Sequence, residues 1–116
     1  MAIEVLFTGI AVNDFEVARA WYGRFFGRAA DVVAHEEEVM WHVTDGGWLY
    51  IRRDVERAGR SIVAMAVSDI EEATSALVAR DVPIGPIERE GDAGWKAIVT
   101  DPDGNSIAMI EVSAGR

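Results

Sequence analysis

The sequence contains no cysteine among its 116 residues, which excludes disulfide bonds, thiolate nucleophiles and thiolate metal sites. No apolar run approaches the roughly 18 residues that a membrane-spanning helix needs, and the N-terminal stretch MAIEVLFTGIAV has no basic leader. Basic side chains are scarce: 11 Lys and Arg stand against 20 Asp and Glu, for a formal net charge of −9. These absences predict a cytoplasmic protein that binds neither membranes nor nucleic acid. The acidic charge suits a neutral or cationic small ligand.

The length predicts one domain, residues 1–116. Half of the residues are hydrophobic, which is enough for a core of modest size. Hydrophobic patterning predicts two similar modules, residues 1–53 and 61–113, joined by the polar connector 54–60. Each module has the order strand, helix and three strands. The predicted strands cover residues 3–12, 30–34, 37–44, 48–53, 61–67, 84–89, 95–100 and 106–112.

Both predicted helices begin after an apparent capping box, in which a side chain caps the helix and a Glu follows three residues later. Asn13 and Glu16 form the first box, and Ser68 and Glu71 form the second. The first helix ends at Gly27. Its core face is predicted from the helical spacing of six residues: Phe15, Ala18, Trp21, Tyr22, Phe25 and Phe26.

The two modules also resemble each other residue by residue. IAVNDFEVA, residues 10–18, matches MAVSDIEEA, residues 65–73, at five of nine positions. The turns DGG, residues 45–47, and DPDGN, residues 101–105, occupy equivalent places, and both have the composition of hairpin turns. The shared order of elements indicates an internal repeat.

These segments resemble the vicinal-oxygen-chelate superfamily, which comprises glyoxalases, bleomycin resistance proteins and dioxygenases. The resemblance rests on AVNDFEVARAWYGRFFG, VSDIEEATSALVARDV and the late hairpin DPDGN, in that order over nearly the whole chain. It implies an α+β fold in which two βαβββ modules place curved mixed sheets face to face around a cavity. In metal-using members of this family, each module supplies two ligands to a divalent ion.

Carried over to this chain, the family's four metal-ligand positions are Phe7, Tyr50, Ile62 and Ala108. None offers the carboxylate or imidazole that such ions prefer. The resemblance therefore implies the fold but predicts no metal, no cofactor and no catalytic residue. Metal-dependent glyoxalase, dioxygenase or epimerase chemistry does not fit these residue types.

Side chains alternate across a strand, so these four positions mark the cavity face of each sheet. Alternation places bulky and aromatic groups in the first module opposite small groups in the second, which is typical of a slot for a flat ligand. Interdigitated core packing is the alternative interpretation. His42 is the best candidate for proton chemistry, but it lacks a carboxylate partner, and a ligand contact is the favoured role. The predicted ligand-binding residues are Phe7, Met40, His42, Trp48, Tyr50, Arg52, Ile62, Ala64, Thr100 and Ala108.

The same alternation places Trp41 and Trp95 against the helices. The run Glu36–Glu38 is interpreted as a solvated turn, with an acidic rim to the cavity as the alternative. Taken together, the sequence predicts a metal-independent protein that binds a small planar or aromatic ligand, with a preference for positive charge, and that forms a homodimer. This resembles the antibiotic-sequestering, bleomycin-resistance-like branch of the family. A lyase, isomerase or dioxygenase-like enzyme with an atypical metal site and a degenerate assembly or regulatory module are the alternatives.

Overall fold

The computed structural model describes residues 1–92 and 94–112, and it confirms the α+β class with two βαβββ modules. The first module contains β1 (Leu6–Val12), α1 (Phe15–Phe26), β2 (Val32–His35), β3 (Glu38–Thr44) and β4 (Gly47–Arg53). The second contains β5 (Ile62–Ala66), α2 (Ile70–Ala79), β6 (Glu88–Glu90), β7 (Gly94–Thr100) and β8 (Ser106–Val112). Neither helix in these residues has the length and apolar character needed to span a bilayer.

Each module forms its own four-stranded mixed sheet, with strand orders β1-β4-β3-β2 and β5-β8-β7-β6. The opening strand of each module pairs in parallel with the last strand, so β1 and β5 each lie at a sheet edge. Two strands differ from their predicted bounds by more than two residues. The first begins at Leu6 rather than at residue 3, and β6 is confined to Glu88–Glu90 rather than 84–89.

Both predicted helix caps were wrong by one residue. The Asp14 carboxylate accepts a hydrogen bond from the Val17 N–H at 3.2 Å and caps α1. Asp69 caps α2 in the same way. In each case an Asp directly follows the predicted cap, and its side chain offers an equally good acceptor one residue later. The predicted end of α1 is correct, because Gly27 adopts a left-handed φ of 75° that favours glycine.

The core lies on the helix side of both sheets and joins the two modules into one cluster. It combines the buried stripe of α1 with alternate residues of the strands in each module. From the first module it includes Ile10, Trp41 and Ile51, and from the second it includes Val99 and Ile107, all essentially inaccessible to solvent. Since the helix-facing residues are used for packing, the opposite face of each sheet is not part of the core.

A polar cluster crosses between the modules at the late hairpin. The buried Asp101 carboxylate accepts hydrogen bonds from the Tyr22 hydroxyl and the Asn105 side-chain amide, both at 2.8 Å. The Asn105 amide also donates to the Ala11 carbonyl of β1, and its oxygen accepts from the Ser61 N–H. Burial, together with the neighbouring Asp101, raises the pKa of Tyr22 far above its ordinary value, so the phenol remains a donor.

We expect Tyr22→Phe to lower the free energy of unfolding by about 1.5–3 kcal/mol, because it removes a hydrogen bond to a buried carboxylate. Tyr50→Phe is the matched control: it deletes the same atom from a half-buried ring whose hydroxyl makes none of the hydrogen bonds found in residues 1–92 and 94–112. That control should change stability by no more than about 0.5 kcal/mol. Urea unfolding measures both variants, and equal losses would contradict the role assigned to Tyr22.

Candidate functional site

The open face of the first sheet carries a strip of stacked rings. Strand pairing sets Trp48 of β4 beside Phe7 of β1 on one side and beside His42 of β3 on the other. The Phe7 and Trp48 ring centroids are 6.3 Å apart, and those of His42 and Trp48 are 4.8 Å apart. Their ring planes are inclined by 26° and 33°. Three neighbouring strands therefore present a continuous aromatic surface to solvent.

Tyr50 extends this strip along β4, and the position of the Tyr50 ring depends on Gly9. The two residues are direct partners in the parallel pairing of β1 and β4. A Cβ atom added to Gly9 would overlap the Tyr50 ring, which rests on the glycine backbone. Because residue 9 has no side chain, the tyrosine ring can lie low over the sheet and leave the space above it open.

The strip ends in charged groups that belong to the next cross-strand pair. Glu38 of β3 is paired with Arg52 of β4, just as Met40 is paired with Tyr50 and His42 with Trp48. The Glu38 carboxylate lies 4.0 Å from the Arg52 Nε and 3.4 Å from the His35 Nε2. The run Glu36–Glu38 was predicted to be a solvated turn, with an acidic rim to the cavity as the alternative, but the Glu38 side chain is only 17% exposed. Its even spacing with Met40 and His42 was the signal that could have placed it on this face.

The open face of the second sheet is lined by small and aliphatic side chains. Ala64 of β5 is paired with Ala108 of β8, and Thr100 of β7 with Ser106. Ile62 lies at the start of the edge strand and is 87% exposed. The predicted site residues are therefore gathered on two faces, an aromatic face in the first module and a small-residue face in the second. In the part of the chain that the structure describes, no hydrogen bond, ion pair or ring contact joins these faces.

The four positions that correspond to the family's metal ligands lie on these two faces, and their side chains do not fit a divalent ion. Phe7, Ile62 and Ala108 have no donor atom, and Tyr50 has only a phenol. Within residues 1–92 and 94–112, no group of three or more His, Asp or Glu side chains is arranged to hold a metal.

Asp31 fixes the end of β3 that carries His42. Its carboxylate accepts hydrogen bonds from the Arg28 guanidinium at 3.0 Å and from the His42 backbone N–H at 2.7 Å. These bonds lower the pKa of Asp31 below its ordinary value, the bond from Arg28 having the larger effect. Arg28 also donates to the His42 carbonyl. The backbone of His42 is therefore held on both sides while its ring stays free to stack on Trp48.

The two tryptophans predicted to pack against helices differ. Trp41 is fully buried, and its ring centroid lies 5.3 Å from that of Phe26 on α1, as expected. Trp95 lies on the same side of β7 as the buried Ala97 and Val99, as alternation predicts, but its indole is 38% exposed and so is not packed into the core as expected. The Arg89 guanidinium lies over that ring at 5.1 Å, a cation–π contact across β6 and β7.

Fold and faces together define a small two-module α+β protein with an aromatic surface and no family-type metal ligands. The chain belongs to the Glyoxalase/Bleomycin resistance protein/Dioxygenase superfamily, whose model matches residues 4–109. No curated protein matches the chain.

Solved structures support the same family. A glyoxalase/bleomycin resistance protein from Catenulispora acidiphila DSM 44928 is 35% identical, with a TM-score of 0.88 over 94% of this chain and 98% of that one. TnmS3, an antibiotic binding protein from Streptomyces sp. CB03234, is 22% identical, with a TM-score of 0.77 over 97% and 99%. A lactoylglutathione lyase from Agrobacterium tumefaciens is 18% identical, with a TM-score of 0.76 over 92% of each chain. At 22% and 18% identity, the similarity to TnmS3 and to the lyase shows a shared fold and no more.

The contact between Gly9 and Tyr50 predicts that one mutation has opposite effects in two backgrounds. Gly9→Ala should destabilise the wild-type protein by about 1–2 kcal/mol, because the added methyl displaces the ring. In a Tyr50→Ala background it should instead stabilise by about 0.5–1 kcal/mol, because alanine is favoured over glycine within a strand. A double-mutant cycle by urea unfolding measures the coupling. The same effect in both backgrounds would contradict the contact.

Proposed function

We propose that this protein binds a small planar or aromatic molecule without a metal ion, as an antibiotic-sequestering member of its superfamily. The ring strip formed by Phe7, Trp48 and His42 is the observation that supports the proposal most directly. A flat molecule stacked on it buries apolar area on both the ligand and the indole. The similarity to TnmS3, an antibiotic binding protein, is consistent with this function class.

The net charge of −9 supports a preference for cationic ligands. An acidic protein raises the local concentration of cations, and this long-range attraction weakens as salt screens it. The family's metal chemistry is poorly supported, because the four corresponding positions offer at most the Tyr50 phenol. Binding through stacking and hydrogen bonds requires no ion at those positions.

The protein is also proposed to act as a homodimer in which each site is completed by the second copy. The edge strands β1 and β5 leave Leu6, Phe7 and Ile62 more than half exposed. Unpaired strand edges with apolar side chains are usually covered in native proteins. A groove of about 610 Å³ lies beside these edges, between the modules and the two helices. Pairing two copies here would cover the edges and set an aromatic face opposite a small-residue face.

Ligand binding is tested with protein treated with EDTA and titrated by calorimetry with planar aromatic compounds of positive, zero and negative charge. Trp48→Ala should weaken binding about tenfold, because a stacking surface worth about 1.4 kcal/mol is lost. Ala108→Trp should also weaken binding, by filling the space above the small-residue face. Trp95→Ala is the matched control, because it deletes an indole from the helix side of the second sheet and should have no effect on binding.

Unchanged affinity in both Trp48→Ala and Ala108→Trp would place the site elsewhere. Binding that disappears after EDTA treatment and returns with a divalent ion would contradict the metal-independent mechanism.

The assembly is tested by light scattering at micromolar concentration, where the mass should be twice the chain mass of 12.7 kDa. Ile62→Lys places a charge on the exposed edge strand β5 and should yield the monomer mass. Val17→Lys is the control, since Val17 is 50% exposed on α1, away from both edges, and its replacement should leave the dimer intact. A wild-type mass of one chain would contradict the proposed dimer.

A further inference from the structure

We propose that Glu38 is the anchor for a basic nitrogen on the ligand, so that the ligand class is a planar aromatic amine rather than a planar aromatic compound in general. This inference rests on the proposed function and adds a residue and a chemical group to it. Glu38 occupies the cross-strand position next to Met40 and Tyr50, on the same face as the ring strip. A ring stacked near Tyr50 would therefore place its substituent beside this carboxylate.

The environment of Glu38 leaves its hydrogen-bonding capacity largely unused. The side chain is 17% exposed, so most of it is removed from water. Among the described residues, no N–H or O–H group donates a hydrogen bond to its carboxylate, and the nearest basic nitrogens, His35 Nε2 and Arg52 Nε, lie at 3.4 Å and 4.0 Å. A carboxylate in such a position gains stability from any donor that reaches it.

The two neighbouring basic side chains, Arg52 and His35, are poorly placed to donate to the Glu38 carboxylate. Arg52 approaches only through its Nε, and its side chain is 61% exposed, so water solvates most of the guanidinium. The His35 Nδ1 accepts a hydrogen bond from the Glu37 N–H, so the ring is neutral, and its Nε2 lies 3.4 Å from the Glu38 carboxylate without a hydrogen bond to it. His35 is itself 54% exposed. A ligand ammonium carries three donors and can approach the carboxylate directly from the open face.

The adjacent carboxylate, Glu37, differs from Glu38 in position and in exposure. Glu37 lies in the turn that precedes β3, outside the cross-strand pairs of the strip, and is half exposed, with Arg53 at 3.8 Å. In the second module the position equivalent to Glu38 in the repeat is Lys96, which is bound to Glu90 at 3.0 Å. The Glu38 carboxylate beside the rings is thus a local feature that the overall negative charge does not explain.

The test compares two probes that differ in one group, 2-naphthylmethylamine and 2-naphthylmethanol, measured by calorimetry on the wild-type protein and on single variants. Wild type should bind the amine at least fivefold more tightly than the alcohol. Glu38→Gln should reduce this ratio to about one and leave the alcohol's Kd within twofold of wild type. Arg52→Gln should raise the ratio, because it removes a competing cation.

Glu37→Gln is the matched control, since it removes the same charge one residue away and should keep the wild-type ratio. If Glu37→Gln and Glu38→Gln lose the preference for the amine equally, Glu38 is not the anchor, because the general negative charge of the protein would then explain the preference. If wild type binds both probes equally, the anchor is wrong while the aromatic site stands. If it binds neither probe, the proposed function and the anchor fail together. Thermal unfolding of each variant confirms that the fold is retained.

Discussion

Asp101 connects the two modules, and the position of both edge strands depends on it. Its carboxylate is 4% exposed and accepts four hydrogen bonds, two from backbone N–H groups of its own hairpin and two from the side chains of Tyr22 and Asn105. A buried charge is tolerated when its acceptor sites are filled in this way. Asn105 then transmits the constraint, because its amide group bonds to the end of β1 and to the residue before β5.

A second polar contact between the modules lies at the C-terminal end of α1. The Arg80 guanidinium, at the end of α2, donates to the carbonyls of Arg24 and Phe25 at 2.6 Å and 2.8 Å. These carbonyls belong to the last turn of α1, which lacks partners within the helix. Polar contacts at Tyr22 and in the last turn of α1 thus join this helix to the second module, next to the apolar core that the two modules share.

This arrangement separates the residues that stabilise the fold from those available for binding. Trp41, Leu49 and Ile51 face the helices and are buried, whereas their neighbours His42, Trp48 and Tyr50 face outward from the same strands. Substitution of the outward residues removes little buried area, so the binding face can change its chemistry with little loss of stability. Gly9 is an exception, because its lack of a side chain is required by the ring above it.

Local chemistry in the sequence determined much of this fold. Alternation in β3 and β4 correctly separated buried Trp41 from outward Trp48, because side chains in a strand point to opposite faces regardless of what packs on them. Gly27 and the turns DGG and DPDGN marked element ends through backbone preferences that act within a few residues. The caps failed because Asn13 and Asp14 offer the same kind of acceptor, and local sequence does not distinguish them. Asn13 has a different role: its backbone N–H donates a hydrogen bond to the Asp103 carboxylate, 90 positions away.

Only the tertiary structure decided which polar groups meet and how exposed each face is. The bonds from Tyr22 to Asp101 and from Asn105 to Ala11 join residues 79 and 94 positions apart, so no local pattern reveals them. Glu38 was assigned to a turn because three consecutive glutamates are typical of solvated chain, yet pairing with β4 places it beside the rings. The 38% exposure of Trp95 is likewise not visible in the alternation, which gives only its side of β7. In each case the outcome depends on contacts between distant segments, and these form only when the chain has folded.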